Sequence, residues 1–147
     1  MNAKLFIELC DLLTDKVPEL RWIDEDEGQL NTPQGIRPPV DFPCCLIDIR
    51  YPDCRDANEE EQVVSAQVTL KIGFQPMGET NNKAPRPVRE KALERLAVVE
   101  KVQSVLQGWT AGDTIEPLSR KNALPAVLPN RVKLYTVSYN TAFQEVN

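Results

Sequence analysis

Histidine is absent from all 147 residues. That absence removes the commonest general base, the usual serine and cysteine triads and most zinc sites together. Cysteine is sparse and unpatterned. Cys10, Cys44, Cys45 and Cys54 form no CxxC pair, and adjacent strand residues point to opposite faces, so Cys44 and Cys45 do not readily bridge each other. With no secretory leader pattern at the Met1 end, the expectation is a reducing cytoplasm and four free thiols. The phosphate-cradling loops GxxxxGK[ST] and GxGxxG are missing as well, which leaves nucleotide chemistry without a foothold. No apolar run approaches the roughly 20 residues needed to span a bilayer, so no membrane partner is expected. Positive charge is in deficit: 17 Lys and Arg stand against 22 Asp and Glu, a net charge of -5. Such a chain repels nucleic acid at long range, and sequence-specific nucleic-acid binding is not expected.

What is present is a scaffold. From Val64 to Phe74 apolar and polar residues alternate strictly: Val64, Ala66, Val68, Leu70, Ile72 and Phe74 fall on one face and Ser65, Gln67, Thr69, Lys71 and Gly73 on the other. Period-two patterning of this kind marks a strand in a sheet packed on one side and wet on the other. A second alternating strand, Val132 to about Phe143, places Tyr135, Val137, Tyr139 and Phe143 on one face. Ahead of these, Asn2 is positioned to cap a helix from Ala3 to about Lys16, with Leu5, Phe6, Leu9, Leu12 and Leu13 at helical spacing. Leu20 to Ile23 reads as a short strand, and Cys44 to Tyr51 as a strand buried on both faces near its start and broken by Pro52 and Asp53. A long helix runs from about Pro87 to Gly108 with an apolar stripe of Val88, Ala92, Leu96, Val99, Val102 and Leu106. Trp109 to Asn130 reads as mostly irregular, with Thr114 to Leu118 as its one possible strand. The expectation is one α+β domain over residues 1–147: a mainly antiparallel twisted sheet packed against a long helix, plus an N-terminal helix.

Two proline-rich segments interrupt these elements. Asn31 to Phe42 reads as an extended loop or arm, and Gln75 to Pro87 as an exposed, adaptable crossing. Loops this long in a compact domain are usually functional or disordered.

No constellation rises to a catalytic signature. The acidic run Asp24-Glu25-Asp26-Glu27 is the densest carboxylate group, but the calcium-loop pattern fails where Gly28 and Gly35 stand. It reads as a solvated turn, and a carboxylate enzyme built on Asp24 and Asp26 lacks anything to orient or desolvate those acids. Cys44 and Cys45 follow Pro43 inside an apolar strand, where a thiol packs rather than reacts. Arg86, Arg89, Lys91 and Arg95 are interleaved with Glu90 and Glu94, the mark of a mixed-charge outer face. Trp22, Phe42, Met77 and Trp109 sit at loop boundaries, where an aromatic or methionine either caps the core or anchors a partner. No enzyme activity, catalytic residue, metal or cofactor is expected.

Three stretches carry a resemblance: Trp22-Ile23-Asp24 through Gly28-Gln29-Leu30; Phe42-Pro43-Cys44-Cys45-Leu46-Ile47-Asp48; and Leu118-Ser119-Arg120 leading into Tyr139-Asn140-Thr141. Together with the order of elements, they resemble the tail-terminator, or tail-completion, proteins of long-tailed phages and of prophages in Bacteroides-like genomes. The resemblance implies a structural assembly protein that caps the tail tube as a ring, usually of six copies, and offers the head-joining surface. Its implied partners are other copies of itself, the tail-tube proteins and the head–tail connector, and its implied locations are the bacterial cytoplasm during assembly and then the virion tail. A head–tail neck adaptor and a small-molecule or peptide-binding module are the alternatives. The candidate self-assembly loops comprise Gly35, Ile36, Pro38, Pro39, Gln75, Pro76, Met77, Gly78, Asn81 and Asn82.

Overall fold

A computed structural model describes residues 3–76, 78–112 and 115–146. The expected cap Asn2, the loop residue Met77 and the expected strand start at Thr114 lie outside the described residues. Helix α1 spans Ala3–Lys16, β1 Trp22–Glu25, β2 Cys44–Asp56, β3 Glu61–Phe74, α2 Arg86–Leu106, β4 Ser119–Val127 and β5 Lys133–Val146. The five strands form one sheet in the order β1-β2-β3-β5-β4. Every neighbouring pair is antiparallel except β1 with β2. This is the α+β architecture that the alternating runs predict.

Both helices pack on one face of the sheet. Leu5, Leu9 and Leu13 of α1 and Val98, Val102 and Leu106 of α2 meet Cys45, Ile47, Val68, Leu70, Ile72, Val137 and Tyr139 in the main core. The β3–β5 register, Val68 opposite Tyr139 and Leu70 opposite Val137, puts these large side chains directly across from one another, where cross-strand packing is strongest. Tyr139 is fully buried, and its hydroxyl donates to Gln103 Oε1 of α2 at 2.6 Å. That bond satisfies the one polar atom the ring carries into the core.

The opposite face is less wet than the alternation suggests. At the end of the sheet where β2 begins, the arm folds back, and Leu30, Val40 and Phe42 build a second cluster with Cys44, Leu46, Val132 and Leu134. This covering explains why Cys44 through Ile47 are buried on both faces. Burial pushes the Cys44 thiol up to about 11 and Cys45 higher still. All four cysteines stand as free thiols. Gly73 belongs to the same packing, because a Cβ there would lie 2.9 Å from Cys44 Sγ and 3.2 Å from Leu30 Cδ1.

Four expectations are corrected. Strand β1 lies two residues further on than Leu20–Ile23, because its backbone follows the parallel register Trp22 with Cys44 through Glu25 with Ile47. Pro52 and Asp53 do not end β2; the register shifts between Arg50 and Asp53 and pairing resumes to Asp56, since a bulge accommodates a residue without an amide hydrogen. The α2 stripe is rotated: Val98 is buried while Val88 and Leu96 are exposed. Apolar residues surround this helix near Leu96–Val99, so periodicity alone does not choose its face. Lastly, β4 forms inside the segment expected to be irregular. Helix α2 ends where expected, with Gly108 at φ 80°, a left-handed stop that glycine adopts without steric cost.

Candidate assembly surface

The candidate loop residues lie mostly at one end of the sheet, where β3 ends and β5 begins. Gly35, Ile36 and Pro38 of the arm join Gln75, Pro76, Phe42, Asn130 and Val132 around a cleft of about 260 Å³. Gln75, Pro76 and Gly78 also line an adjoining cleft of about 200 Å³ with Thr80, Arg95, Val127, Arg131 and Lys133. Two segments some 40 residues apart in sequence, a spacing read from their numbers, thus share two walls of one surface. Pro39 stands apart, beside Trp22 and Asp41, and Pro38 is buried rather than exposed. Asn81 and Asn82 are exposed in a turn closed by Asn81 Oδ1, which accepts from the Lys83 amide at 2.9 Å, and they line neither cleft.

The structure holds this end firmly. Asn130, in the turn between β4 and β5, donates through Nδ2 to Leu30 O and Thr32 Oγ1, both at 2.8 Å, and its Oδ1 accepts from the Val132 amide at 3.1 Å. One amide side chain therefore ties the β4–β5 turn to the arm. The next residue, Arg131, has φ 71°, a left-handed conformation uncommon outside glycine. Tyr135 supports two further cations: its hydroxyl accepts from Arg95 Nε at 3.2 Å, and Lys133 Nζ lies 5.6 Å from its ring centroid. The ring is itself packed edge-on against Phe74 at 5.9 Å. Arg95 also donates to Ala92 O. It is half-buried and turned toward β5, so it leaves the mixed-charge outer face on which Arg86 pairs with Glu90.

At the other end of the sheet the β2–β3 hairpin stands clear of the core. Residues 52–60 are all exposed. Asn58 shapes the tip, its Oδ1 accepting from the amides of Glu60 and Glu61 at 2.8 and 2.9 Å, an Asx turn that leaves the Glu59 and Glu60 carboxylates pointing outward.

Strand β4 forms the third component. All nine of its residues are exposed, Leu124 at 59% and Val127 at 64%. Backbone pairing to β5 holds it in place, with a register shift between Arg120 and Asn122, and among the described residues no strand neighbours its outer edge. Pro125 is tolerated there because an edge strand can lack a donor.

Other sites considered from the sequence have structural duties. Asp24 accepts from the Glu25 amide and from Gln29 Nε2, while Asp26 accepts from the Gly28 amide and lies 3.0 Å from Lys71 Nζ. Among the described residues, no group of three or more cysteine, aspartate or glutamate side chains is placed to hold a metal ion, and no helix is long and apolar enough to cross a membrane. Phe42 caps the second cluster and Trp109 packs partly against the main core, whereas Trp22 is exposed. The cationic cleft itself escaped sequence reasoning, since Arg95, Arg131 and Lys133 share no local motif. One signal does mark it: residues 117–144 contain four cations and no carboxylate in an otherwise acidic chain.

No protein-family model matches the chain, and no curated protein matches it either.

Proposed function

We propose that this chain is a structural assembly protein of a phage or prophage tail, closing the tail tube as a ring of copies and offering the surface to which the head joins. The observation that supports this reading best is β4, a nine-residue edge strand with exposed side chains throughout, two of them large and apolar. An edge strand exposing apolar side chains is a ready template for pairing with another chain. The two loop segments beside it give the same end of the molecule a shaped surface. Identical subunits joined head to tail close into a ring when the rotation per subunit allows it.

The clefts give less support to a small-molecule module. A cleft of about 620 Å³ mixes Ser65, Gln67, Lys121 and Asn140 with Pro52, Ala66, Pro117 and Ala142 and lies open to solvent, whereas ligand pockets bury most of their ligand's surface.

The test is made on particles. The chain, labelled in an induced prophage lysate, is expected at the head-proximal end of the tail by electron microscopy. Deletion of its gene is expected to leave tails overlong or unjoined to heads. Normal particles assembled without the gene product would overturn the reading.

A further inference from the structure

The two ends of the sheet carry opposite charge in a form that fits a second copy. Arg95, Arg131 and Lys133 line one cleft, and among the described residues none of the three forms an ion pair. Glu79 lies between two lining residues in sequence, but it is exposed and does not line the cleft. Three cations gathered without a counter-charge are costly to hold together, and an anionic group entering between them relieves that repulsion. Their supports are already in place: Asn130 fixes the turn that bears Arg131, and Tyr135 holds Arg95 and Lys133. A preorganised site loses little entropy when it is filled.

The matching anion lies on the same chain. From Asp53 to Glu61 the hairpin carries five carboxylates and one cation, and Arg55 is already paired with Asp53 at 3.4 Å. Glu59 and Glu60 at the tip are exposed, and neither forms an ion pair among the described residues. The β3–β5 register runs from Glu61 with Val146 to Phe74 with Lys133, which puts the tip and the cleft about 45 Å apart along the strands at roughly 3.4 Å per residue. A hairpin so placed cannot reach its own cleft.

We infer that the Glu59–Glu60 tip of one copy docks between Arg95, Arg131 and Lys133 of the next, a head-to-tail contact made through charge. The inference deepens the ring reading and rests on it. Tip and cleft are different patches, so the contact is heterologous and propagates from copy to copy. Nucleic-acid phosphate is the competing anion, and the net charge of -5 disfavours it.

Sedimentation velocity of the full chain at low salt tests the contact. The wild type is expected to self-associate and to dissociate as salt screens the charges. Glu59→Lys with Glu60→Lys, and separately Arg131→Glu with Lys133→Glu, are each expected to abolish self-association. An equimolar mixture of the two double variants is expected to associate again, because each supplies the intact half that the other lacks. Circular dichroism checks that each is folded, and Arg131→Glu alone serves as a second cleft variant if Lys133→Glu disturbs Tyr135. Association unchanged in either variant, a mixture that stays monomeric, or a wild type monomeric at millimolar concentration would overturn the inference. So would binding of a duplex oligonucleotide that Arg131→Glu abolishes while self-association persists. Each of these leaves the particle-localisation result free to stand or fall separately.

Discussion

Strand β3 buries every second side chain from Val64 to Phe74, whereas β4, two strands away in the same sheet, exposes every residue it has. The first is held by side chains from two helices and two neighbouring strands. The second is held by backbone pairing along one edge. Side chains of β3 are therefore committed to stability, and those of β4 are free for a partner. The difference separates what the domain needs to fold from what it presents.

Substitutions can break this comparison directly. Leu70→Ala removes a fully buried side chain and is expected to cost about 2–5 kcal/mol in chemical denaturation. Leu124→Ala on β4 is expected to stay within about 0.5 kcal/mol of wild type; equal costs at the two positions would erase the distinction. A smaller loss, about 1–3 kcal/mol, is expected for Gly73→Ala, which forces a methyl group toward Cys44 Sγ and Leu30. Thermal unfolding that is unchanged would mean the arm packs more loosely on β3 than its burial implies. Tyr139→Phe is expected to cost about 1 kcal/mol by removing the bond to Gln103, and Arg120→Ala, in the partner position on β4, much less.

A further effect vanishes at neutral pH. Burial raises the Cys44 thiol from 9.0 to about 11, so the unfolded chain loses that proton first. Stability from this site is fully present below pH 9 and declines as pH rises toward 11. Urea midpoints measured across that range should fall for the wild type and fall less steeply for Cys44→Ala.

The same contrast explains what was legible. Packing writes a pattern into sequence, and β3, β5 and α1 could be read because alternate or helically spaced residues face a core. Strand β4 has no core-facing set, so Ser119 to Val127 carries no period to read. Its Pro125 argued for a loop. Pro52 misled in the same way, because a bulge and a strand end look alike in one dimension. The rotated face of α2 had a different cause: apolar residues on several sides near Leu96–Val99 left the choice to tertiary packing. The candidate surface was legible by halves. Long proline-rich segments flagged Gly35, Ile36, Pro38, Gln75 and Pro76, which the fold brings into one cleft. The three cations beside them come from α2 and from the β4–β5 turn and strand, and only the fold brings these together.

The position of β5 bears on how the molecule is made. It is the last of the strands in sequence, yet it lies between β3 and β4 and bonds to both. A chain emerging from the ribosome can pair β2 with β3 early, but β4 has no neighbour until residues 133–146 have been synthesised. Asn130 likewise reaches the arm across 100 positions of sequence. Neither the edge strand nor the cleft exists on a prematurely released chain. Translation products cut short before β5 thus lack both the edge strand and the cleft.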